Sequence, residues 1–447
     1  MITNPMNSKT SPPDRRKKAL LALAMLWAGQ LSASTYFVAT NGNDTAEGSL
    51  AKPLATFTEA NKRVKPGDTV FIRGGKYLLP ANQPIGVELS KSGAPGNPIQ
   101  FFAYTHETPV LDGSKLAGRG RICGLLISGD RIHVKGLEVC NVPSPGTSYG
   151  IWIKSASHNI IERCNTHHHN GPGLFIDGGH GGHLVLNCDS HDNYDPGSKT
   201  GAGQNADGFG CHYQDGGTPT TFRGCRAWWN SDDGFDWFKQ EQPVVIEHCW
   251  AMGSGYTPGG AAPAASGNGA GFKMGNTFTG VRHTIRNCVA IKNKAQGFYA
   301  NHSHGGSDWL HNTAFANRGA AFDMLADVEL SGAKVHKLRN NLAYPKKLKN
   351  MGASDSSHNS WDLGIEPAPS DFQSVSDDGF LGPRQANGNL PDLDFLKLRA
   401  GGRLIDQGVG VGLSFNGIAP DLGAYESVKS SSNQPASRGS DPSSSRF

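Results

Sequence analysis

The chain has 447 residues, of which 59 are Gly, 26 are Pro and only 18% are charged. This composition indicates a rigid, turn-rich globular protein rather than a disordered or membrane-spanning one. The formal net charge of +4 arises from five basic residues and one acidic residue that precede position 35, so the remaining chain is neutral. The basic pI therefore does not indicate a nucleic acid or another anionic partner.

The N-terminal segment has the order of a secretory signal peptide. Four basic residues at 15–18 precede an apolar run at 19–27, and small residues follow at 32–34. The apolar run is too short to span a membrane. We therefore predict that residues 1–34 are a signal peptide and that the protein is secreted, either to the medium or to the periplasm.

The rest of the chain is expected to be one long domain, residues 35–426. Its start predicts a strand at 36–40, a short amphipathic helix from Phe57 to Val64 and a strand at 69–73. Such a helix would cap the open end of a repeat protein. Residues 343–426 lose the repeat, and we expect them to pack along the coils and close the other end. The Ser-rich residues 427–447 are predicted to be a disordered tail.

The middle of the chain is repetitive. In six segments a small residue follows an apolar or aromatic residue by three positions. Several of these small residues are 24 positions apart; they are Cys164, Cys188, Cys225, Cys249, Cys288 and Asn312. A period in the low twenties, with short apolar runs and many Asn and Gly, predicts an all-β parallel solenoid.

The repeated cysteines allow two interpretations. Neighbouring coils are about 4.8 Å apart, so disulfides between them are feasible. We favour a ladder of small buried residues, because the same position accepts Asn312 and, further on, Asn341. A second ladder follows five residues later, at Asn193, Asn230, Asn293 and Asn317. These amides are expected to satisfy backbone groups in the turns.

An aromatic position aligns the coils further. Phe235, Phe298 and Phe322 follow the small residue by ten positions, whereas Phe209 and Phe272 follow it by 21 and 23. Two coils therefore contain insertions, which we expect to be surface loops that flank a cleft.

This alignment gathers the candidate site residues. Asp207 is expected to stack on Asp233, with Asp232 beside it. The adjacent column contains, on successive coils, Gly210, Asp236, Lys273 and Tyr299. Carboxylates at one-coil spacing repel each other unless a cation neutralises them, and a set of oxygen ligands suits Ca²⁺ better than zinc or copper.

Lys273 is the candidate base. A salt bridge to Asp236 would be an ordinary structural role for it. If instead a metal ion and partial desolvation lower its pKa, Lys273 could remove a carbon-bound proton. In a uronate polymer the C5 proton becomes acidic when the C6 carboxylate is neutralised, and loss of O4 then cuts the chain by β-elimination. The glycines around Lys273 would let a large ligand approach the backbone.

Four central stretches carry a family resemblance: Asn205-Ala206-Asp207-Gly208-Phe209, Phe222-Arg223-Gly224-Cys225-Arg226-Ala227-Trp228, Asn230-Ser231-Asp232-Asp233-Gly234-Phe235-Asp236 and Gly271-Phe272-Lys273. Weaker matches occur at 36–77, 357–363 and 421–426. Together they resemble the family 9 polysaccharide lyases of the pectate lyase type. The resemblance implies a right-handed parallel β-helix, Ca²⁺ bound by Asp207, Asp232, Asp233 and Asp236, Lys273 as the base, and endo-cleavage of polygalacturonate at alkaline pH.

Other expectations are less direct. Arg223 and Arg226 could clamp substrate carboxylates or be structural charges, and Tyr299 is a further candidate for substrate contact. Residues 167–169 are all His, but consecutive side chains diverge, which disfavours a metal site built from this triplet. The expected partner is an acidic polysaccharide, and the protein is expected to be a monomer. Two rival functions remain open, an inverting galacturonan hydrolase and a non-catalytic carbohydrate-binding solenoid.

Overall fold

The computed structural model describes residues 33–144, 147–275 and 280–427. Nearly all of the predicted signal peptide and tail thus lies outside the described residues. Within them the chain winds into a parallel β-helix, and successive coils contribute one strand to each of three parallel sheets. The predicted fold class is confirmed.

Among the residues described, the three sheets contain twelve, ten and ten strands. Sheet 1 consists of Thr35–Val38, Thr69–Ile72, Ile99–Ala103, Ile132–Lys135, Ile160–Glu162, Leu184–Leu186, Thr220–Arg223, Val244–Glu247, His283–Arg286, Ser307–Leu310, His336–Arg339 and Ser354–Ser357. Sheet 2 consists of Ile85–Leu89, Ile122–Ile127, Ser148–Lys154, Leu174–Asp177, Phe209–His212, Phe235–Trp237, Phe272–Met274, Phe298–Tyr299, Phe322–Asp323 and Leu348–Lys349. Sheet 3 consists of Gly75–Leu78, Pro109–Asp112, Glu138–Cys140, Asn165–His167, Asp189–His191, Arg226–Trp228, Trp250–Met252, Val289–Ile291, Thr313–Phe315 and Leu342–Tyr344.

A short α-helix, Phe57–Arg63, covers the N-terminal end of the coils. Thr56 caps it, because its hydroxyl accepts a hydrogen bond from the Glu59 N–H at 3.1 Å. Phe57 is buried and meets the ring of Tyr77 edge-on at 5.6 Å. The predicted capping helix is therefore confirmed, and the flanking strands differ from their predicted bounds by one or two residues. In the part of the chain that the structure describes, four 3₁₀ turns complete the helical elements: Pro258–Gly260, Gly332–Lys334, Met351–Ala353 and Pro369–Asp371.

Five stacked phenylalanines run through the interior behind sheet 2. Their ring centroids are 4.8 to 5.0 Å apart and the interplanar angles do not exceed 17°. All five side chains are fully buried: Phe209, Phe235, Phe272, Phe298 and Phe322. Because this spacing equals the distance between neighbouring strands, each ring contacts the ring of the next coil, and the stack sets the alignment of the coils.

The two polar ladders lie inside the coils as well. All eight cysteines are buried and none forms a disulfide, which confirms the ladder interpretation. Asn341 continues the ladder after Asn312, and their side-chain amides are hydrogen-bonded at 3.1 Å. In the second ladder the Asn193 amide donates to Asn230 at 2.8 Å. Each buried amide thus satisfies a neighbouring one while it holds two coils together.

The C-terminal region packs along the outside of sheet 3, as predicted. Phe380 stacks on Trp250 at 4.3 Å, and both belong to a second apolar cluster between this region and the sheet. Trp361 contacts Phe322 at the end of the coils, with 5.1 Å between ring centroids. The outer face of sheet 2 is left available for a binding site. Among the described residues no helix is long and apolar enough to cross a membrane.

The phenylalanine stack yields a stability prediction. Phe298 lies between Phe272 and Phe322 and contacts Trp309 edge-on at 6.2 Å. We expect Phe298→Ala to lower the free energy of unfolding by about 3–5 kcal/mol, because the stack cannot close over the cavity. Phe415→Ala, at a side chain that is 44% exposed, should change it by less than about 0.5 kcal/mol. Urea unfolding measures both, and equal effects would contradict the proposed importance of the stack.

Candidate active site

A column of side chains on the outer face of sheet 2 contains the candidate base. The strand register pairs Phe175 with Gly210, Gly210 with Asp236, Asp236 with Lys273 and Lys273 with Tyr299. The residue before each of them is buried in the core, Leu174 before Phe175 and a stacked phenylalanine before each of the others. Side chains alternate along a strand, so this column points away from the core. The register predicted from the sequence is confirmed.

Asp207 and Asp233 precede their strands and are tied to the next coil by the backbone. The N–H of Asp233 donates to Asp207 Oδ1 at 3.0 Å, and the N–H of Ala270 donates to Asp233 Oδ1 at 2.7 Å. Both residues are buried, with exposures of 4% and 0%. The stacking predicted for the two aspartates thus occurs through carboxylate-to-amide hydrogen bonds, which hold each carboxylate in one orientation.

Asp232 joins the two insertion loops. Its carboxylate accepts from the N–H of Asn205 at 2.8 Å and from the N–H of Asn268 at 2.6 Å. Asn205 lies in the insertion before Phe209, and Asn268 lies in the insertion before Phe272. Sequence reasoning missed both asparagines, because the internal conformation of a loop leaves no periodic signal.

The Lys273 ammonium group lies among the aspartates. Its Nζ is 2.9 Å from Asp233 Oδ2 and 3.4 Å from Asp236 Oδ2, and the residue is 9% exposed. The salt bridge to Asp236 that the sequence suggested is present, together with a shorter one to Asp233.

The glycine before Phe272 is required by close packing inside the coil rather than by access for a ligand. A Cβ atom on Gly271 would lie 2.7 Å from Asn293 Nδ2 and 2.8 Å from the carbonyl oxygen of Gly297. Both atoms belong to the inner side of the coil, so only glycine fits beside the asparagine ladder. At this position the expectation that glycine opens the backbone to a large ligand is therefore wrong.

The buried carboxylates outnumber the positive charge. Burial and the charge of Asp232 raise the pKa of Asp207 well above its usual value, and burial together with Asp233 raises the pKa of Asp232 to about 7. Burial also raises the pKa of Asp233, whereas Lys273 and His212 outweigh burial and lower that of Asp236. Four acids beside one lysine thus leave a strong negative potential.

The same charges also act on the pKa of Lys273. Burial lowers the pKa of Lys273, but Asp233 and Asp236 outweigh burial and raise it well above the usual lysine value. With the protein side chains alone, the lysine is therefore fully protonated at neutral pH. The predicted depression depends on added positive charge.

The arrangement fits a hard divalent cation. Carboxylate oxygens of Asp207, Asp232 and Asp233 lie within 4.8 Å of one another. The buried Oδ1 of Asp236 has no hydrogen-bond partner among the described residues. Such an oxygen-only set suits Ca²⁺, and the orphaned oxygen and the raised carboxylate pKa values are the costs that a bound cation would remove.

A cleft of about 380 Å³ surrounds these residues, and its wall contains side chains that the sequence interpretation missed. Tyr149 stacks on Phe175 at 4.8 Å, and Phe175 meets His212 edge-on at 4.7 Å. His212 Nε2 is 3.7 Å from Asp236 Oδ2. Phe175 is paired with Gly210 on the preceding coil. The same alignment of the repeats could therefore have predicted that Phe175 lies in this wall.

The three residues predicted to bind the substrate lie in different places in the structure. Tyr299 follows Lys273 on the next coil of sheet 2. Arg223 lies on sheet 1 and pairs with Glu247. Arg226 is 3% exposed and donates to Asp189 and to the carbonyl oxygen of Phe380 beneath the C-terminal region. Neither arginine is therefore placed to contact a substrate held at Lys273.

Comparisons with known proteins agree with this architecture. A family model described as "Pel9A-like, right handed beta helix region" matches residues 36–341. Pectate lyase L of Dickeya dadantii is 36% identical over 406 residues, which cover 90% of this chain and 92% of the relative.

Two solved structures extend the likeness to three dimensions. The crystal structure of pectate lyase Pel9A is 34% identical with a TM-score of 0.78, covering 88% of this chain and 96% of its own. A rhamnogalacturonan lyase structure is 32% identical with a TM-score of 0.73, covering 83% and 97%. The chain therefore belongs to the Pel9A-like right-handed β-helix family, family 9 of the polysaccharide lyases.

Proposed function

We propose that the protein is a secreted, Ca²⁺-dependent pectate lyase that cleaves α-1,4-galacturonan by β-elimination. The observation that carries the proposal is the buried Lys273, whose Nζ is 2.9 Å from Asp233 in a cleft lined by further aspartates. The pectate lyase names of the similar proteins support the substrate. Export is proposed from the signal-like order of residues 15–34.

Asp207, Asp232, Asp233 and Asp236 would hold the calcium ion. When bound, Ca²⁺ would neutralise these carboxylates and the C6 carboxylate of a uronate, which makes the C5 proton more acidic and lowers the pKa of Lys273. The hydrogen bonds from Asn205, Asn268 and Ala270 to the aspartates hold the ligand oxygens in place before the substrate arrives.

Lys273 acts as the base in this proposal. Its neutral amine removes the C5 proton, the electrons of the C5–H bond form a double bond between C4 and C5, and the C4–O4 bond breaks. The leaving oxygen takes a proton from solvent, and no water is added across the cut. Tyr299, on the next coil, is proposed to contact the sugar adjacent to the reacting one.

The geometry weighs against a hydrolase. Inverting glycosidases keep their two carboxyl groups about 6.5–9.5 Å apart to admit a water molecule. The Asp207, Asp232 and Asp233 carboxylates instead offer oxygens within 4.8 Å of one another, and a hydrolase has no role for Lys273 among them. A non-catalytic solenoid would bind Ca²⁺ at the same residues but would not require the lysine.

A second candidate substrate is another uronate-containing polysaccharide. The rhamnogalacturonan lyase structure covers nearly as much of the chain as the Pel9A structure, at almost the same identity. Both substrates would place a carboxylate next to the acidic C5 proton, so the same aspartates and lysine would serve either. The cleft wall, with Tyr149, Phe175 and Tyr213, would then decide between them.

Removing the lysine tests the chemistry. We expect Lys273→Ala to lower turnover about 10²–10⁴-fold or more, because the base is lost. Ca²⁺ binding and folding should persist, because the bound cation itself neutralises Asp233 and Asp236. Lys349→Ala is the matched control, since Lys349 is exposed on the last strand of sheet 2 and pairs with Asp323 in the register. The ultraviolet absorbance of the unsaturated product reports turnover. Wild-type turnover by Lys273→Ala would contradict the role of the lysine as the base, whereas no turnover by the wild type itself would support the non-catalytic solenoid.

Calcium binding should depend on pH. Because the pKa of Asp232 is raised to about 7, Ca²⁺ must displace a proton when the pH is below this value. For one displaced proton we expect affinity at pH 6 to be about tenfold weaker than at pH 8, as measured by titration calorimetry without substrate. Asp215→Asn, at an exposed aspartate, should leave this dependence intact. An affinity that stays constant between pH 6 and pH 8 would contradict the site.

A substrate panel separates the candidate functions. We expect elimination products from polygalacturonate with Ca²⁺ and none after EDTA treatment. Faster elimination from rhamnogalacturonan would establish the second candidate substrate, and methylated pectin and glycosaminoglycans complete the panel. New reducing ends without ultraviolet absorbance, unaffected by EDTA, would show hydrolysis and overturn the lyase proposal.

A further inference from the structure

A group of potential metal ligands lies on the outer face of sheet 3, away from the aspartates. Glu138, Cys140 and His167 each offer one ligand atom, and the three atoms lie within 4.8 Å of one another. We propose that these residues form a binding site for a zinc-class transition metal that bridges two coils of the β-helix.

The strands place the three side chains together. The strands Glu138–Cys140 and Asn165–His167 are adjacent and parallel, and Cys140 is directly paired with His167. Glu138 and Cys140 are two residues apart, so both side chains point to the same face. The site is therefore built on paired strands rather than on a mobile loop, as a pre-organised metal site requires.

The separation between the histidine and the carboxylate fits a tetrahedral centre. The distance from His167 Nε2 to Glu138 Oε1 is 3.4 Å. With zinc bonds of about 2.0–2.1 Å, two tetrahedral ligands lie about 3.3–3.4 Å from each other. The histidine and the carboxylate therefore already have the spacing that one shared metal ion would impose.

Outer contacts hold the ligands in a metal-binding orientation. His167 Nδ1 is 2.7 Å from His168 Nδ1, which directs Nε2 towards Glu138. The Asn141 side-chain amide donates to Cys140 Sγ at 3.3 Å. Metal-bound histidines and thiolates commonly have such partners, because these partners fix the ring and stabilise the sulfur charge.

The donor set selects a different metal from the one at the aspartates. Thiolate, imidazole and carboxylate together suit Zn²⁺, whereas four carboxylates suit Ca²⁺. Cys140 is a free, buried cysteine, while the Glu138 and His167 side chains are 27% and 16% exposed. A fourth ligand, such as water, can therefore approach from solvent. The histidine triplet itself is not the chelate, because His169 is buried and accepts a hydrogen bond from the Val142 N–H.

Cobalt titration of the untagged, chelator-treated full chain tests the site. Co²⁺ stands in for Zn²⁺ and reports a thiolate ligand through a charge-transfer band in the near ultraviolet. We expect one equivalent to produce this band, added Zn²⁺ to abolish it, and Cys140→Ser to lack it. Glu138→Gln and His167→Gln should weaken Co²⁺ binding at least tenfold, since each removes one of three protein ligands.

Two variants serve as controls. Cys123→Ser removes a buried free cysteine on sheet 2, and His180→Gln removes an exposed histidine beside Asp215. Both should keep the band and the affinity.

A stability measurement covers the case in which Cys140→Ser fails to fold. Zn²⁺ should raise the melting temperature of the wild type and of Cys123→Ser but not that of Glu138→Gln, whose side chain is partly exposed and keeps its size. The proposal is overturned if the wild type shows no band, if Cys140→Ser retains the band, or if Glu138→Gln and His167→Gln bind Co²⁺ as tightly as the wild type.

Discussion

The structure depends on the contact between stacked phenylalanines inside the coils. On five successive coils a ring lies 4.8 to 5.0 Å from the next, so a slip of one residue along any of these five strands would turn a phenylalanine out of the interior. The asparagine ladders add a polar constraint, because a buried amide out of register loses its partner. Packing in the interior thereby fixes which side chains point outward and which of them are neighbours.

The candidate active site follows from that alignment. In the coils that contribute a stacked phenylalanine, the next residue lies on the outer face. In this way Asp236, Lys273 and Tyr299 become neighbours although they are separated by dozens of residues. The two insertions leave the sheet immediately before Phe209 and Phe272, and Asp232 ties both of them to the site. Loops that would otherwise vary in position are thus coupled to the acidic cluster.

Burial gives this cluster its electrostatic character. Four acids cannot all ionise beside one ammonium group in a dry site without large pKa shifts, and the raised pKa values of Asp207 and Asp232 reflect this conflict. In the proposed function added positive charge relieves the conflict and frees Lys273 to accept a proton. The cleft is lined by aromatic side chains together with polar and charged ones, which suits a sugar ring that carries a carboxylate.

The sequence alone determined the fold class, the coil alignment and the grouping of the five central residues of the candidate site, because a periodic chain turns spacing directly into spatial neighbours. Phe175 lay within reach of the same reasoning. The tertiary structure decided the contacts that do not follow from the repeat. It buried Arg226 under the C-terminal region, placed Arg223 on another sheet and brought Asn205 and Asn268 to Asp232. It also placed Asp233 and Asp236 close enough to Lys273 to raise its pKa when no cation is bound. These outcomes depend on loop conformation, on which sheet the chain end covers and on the sum of nearby charges, and all three are set by contacts outside the repeat.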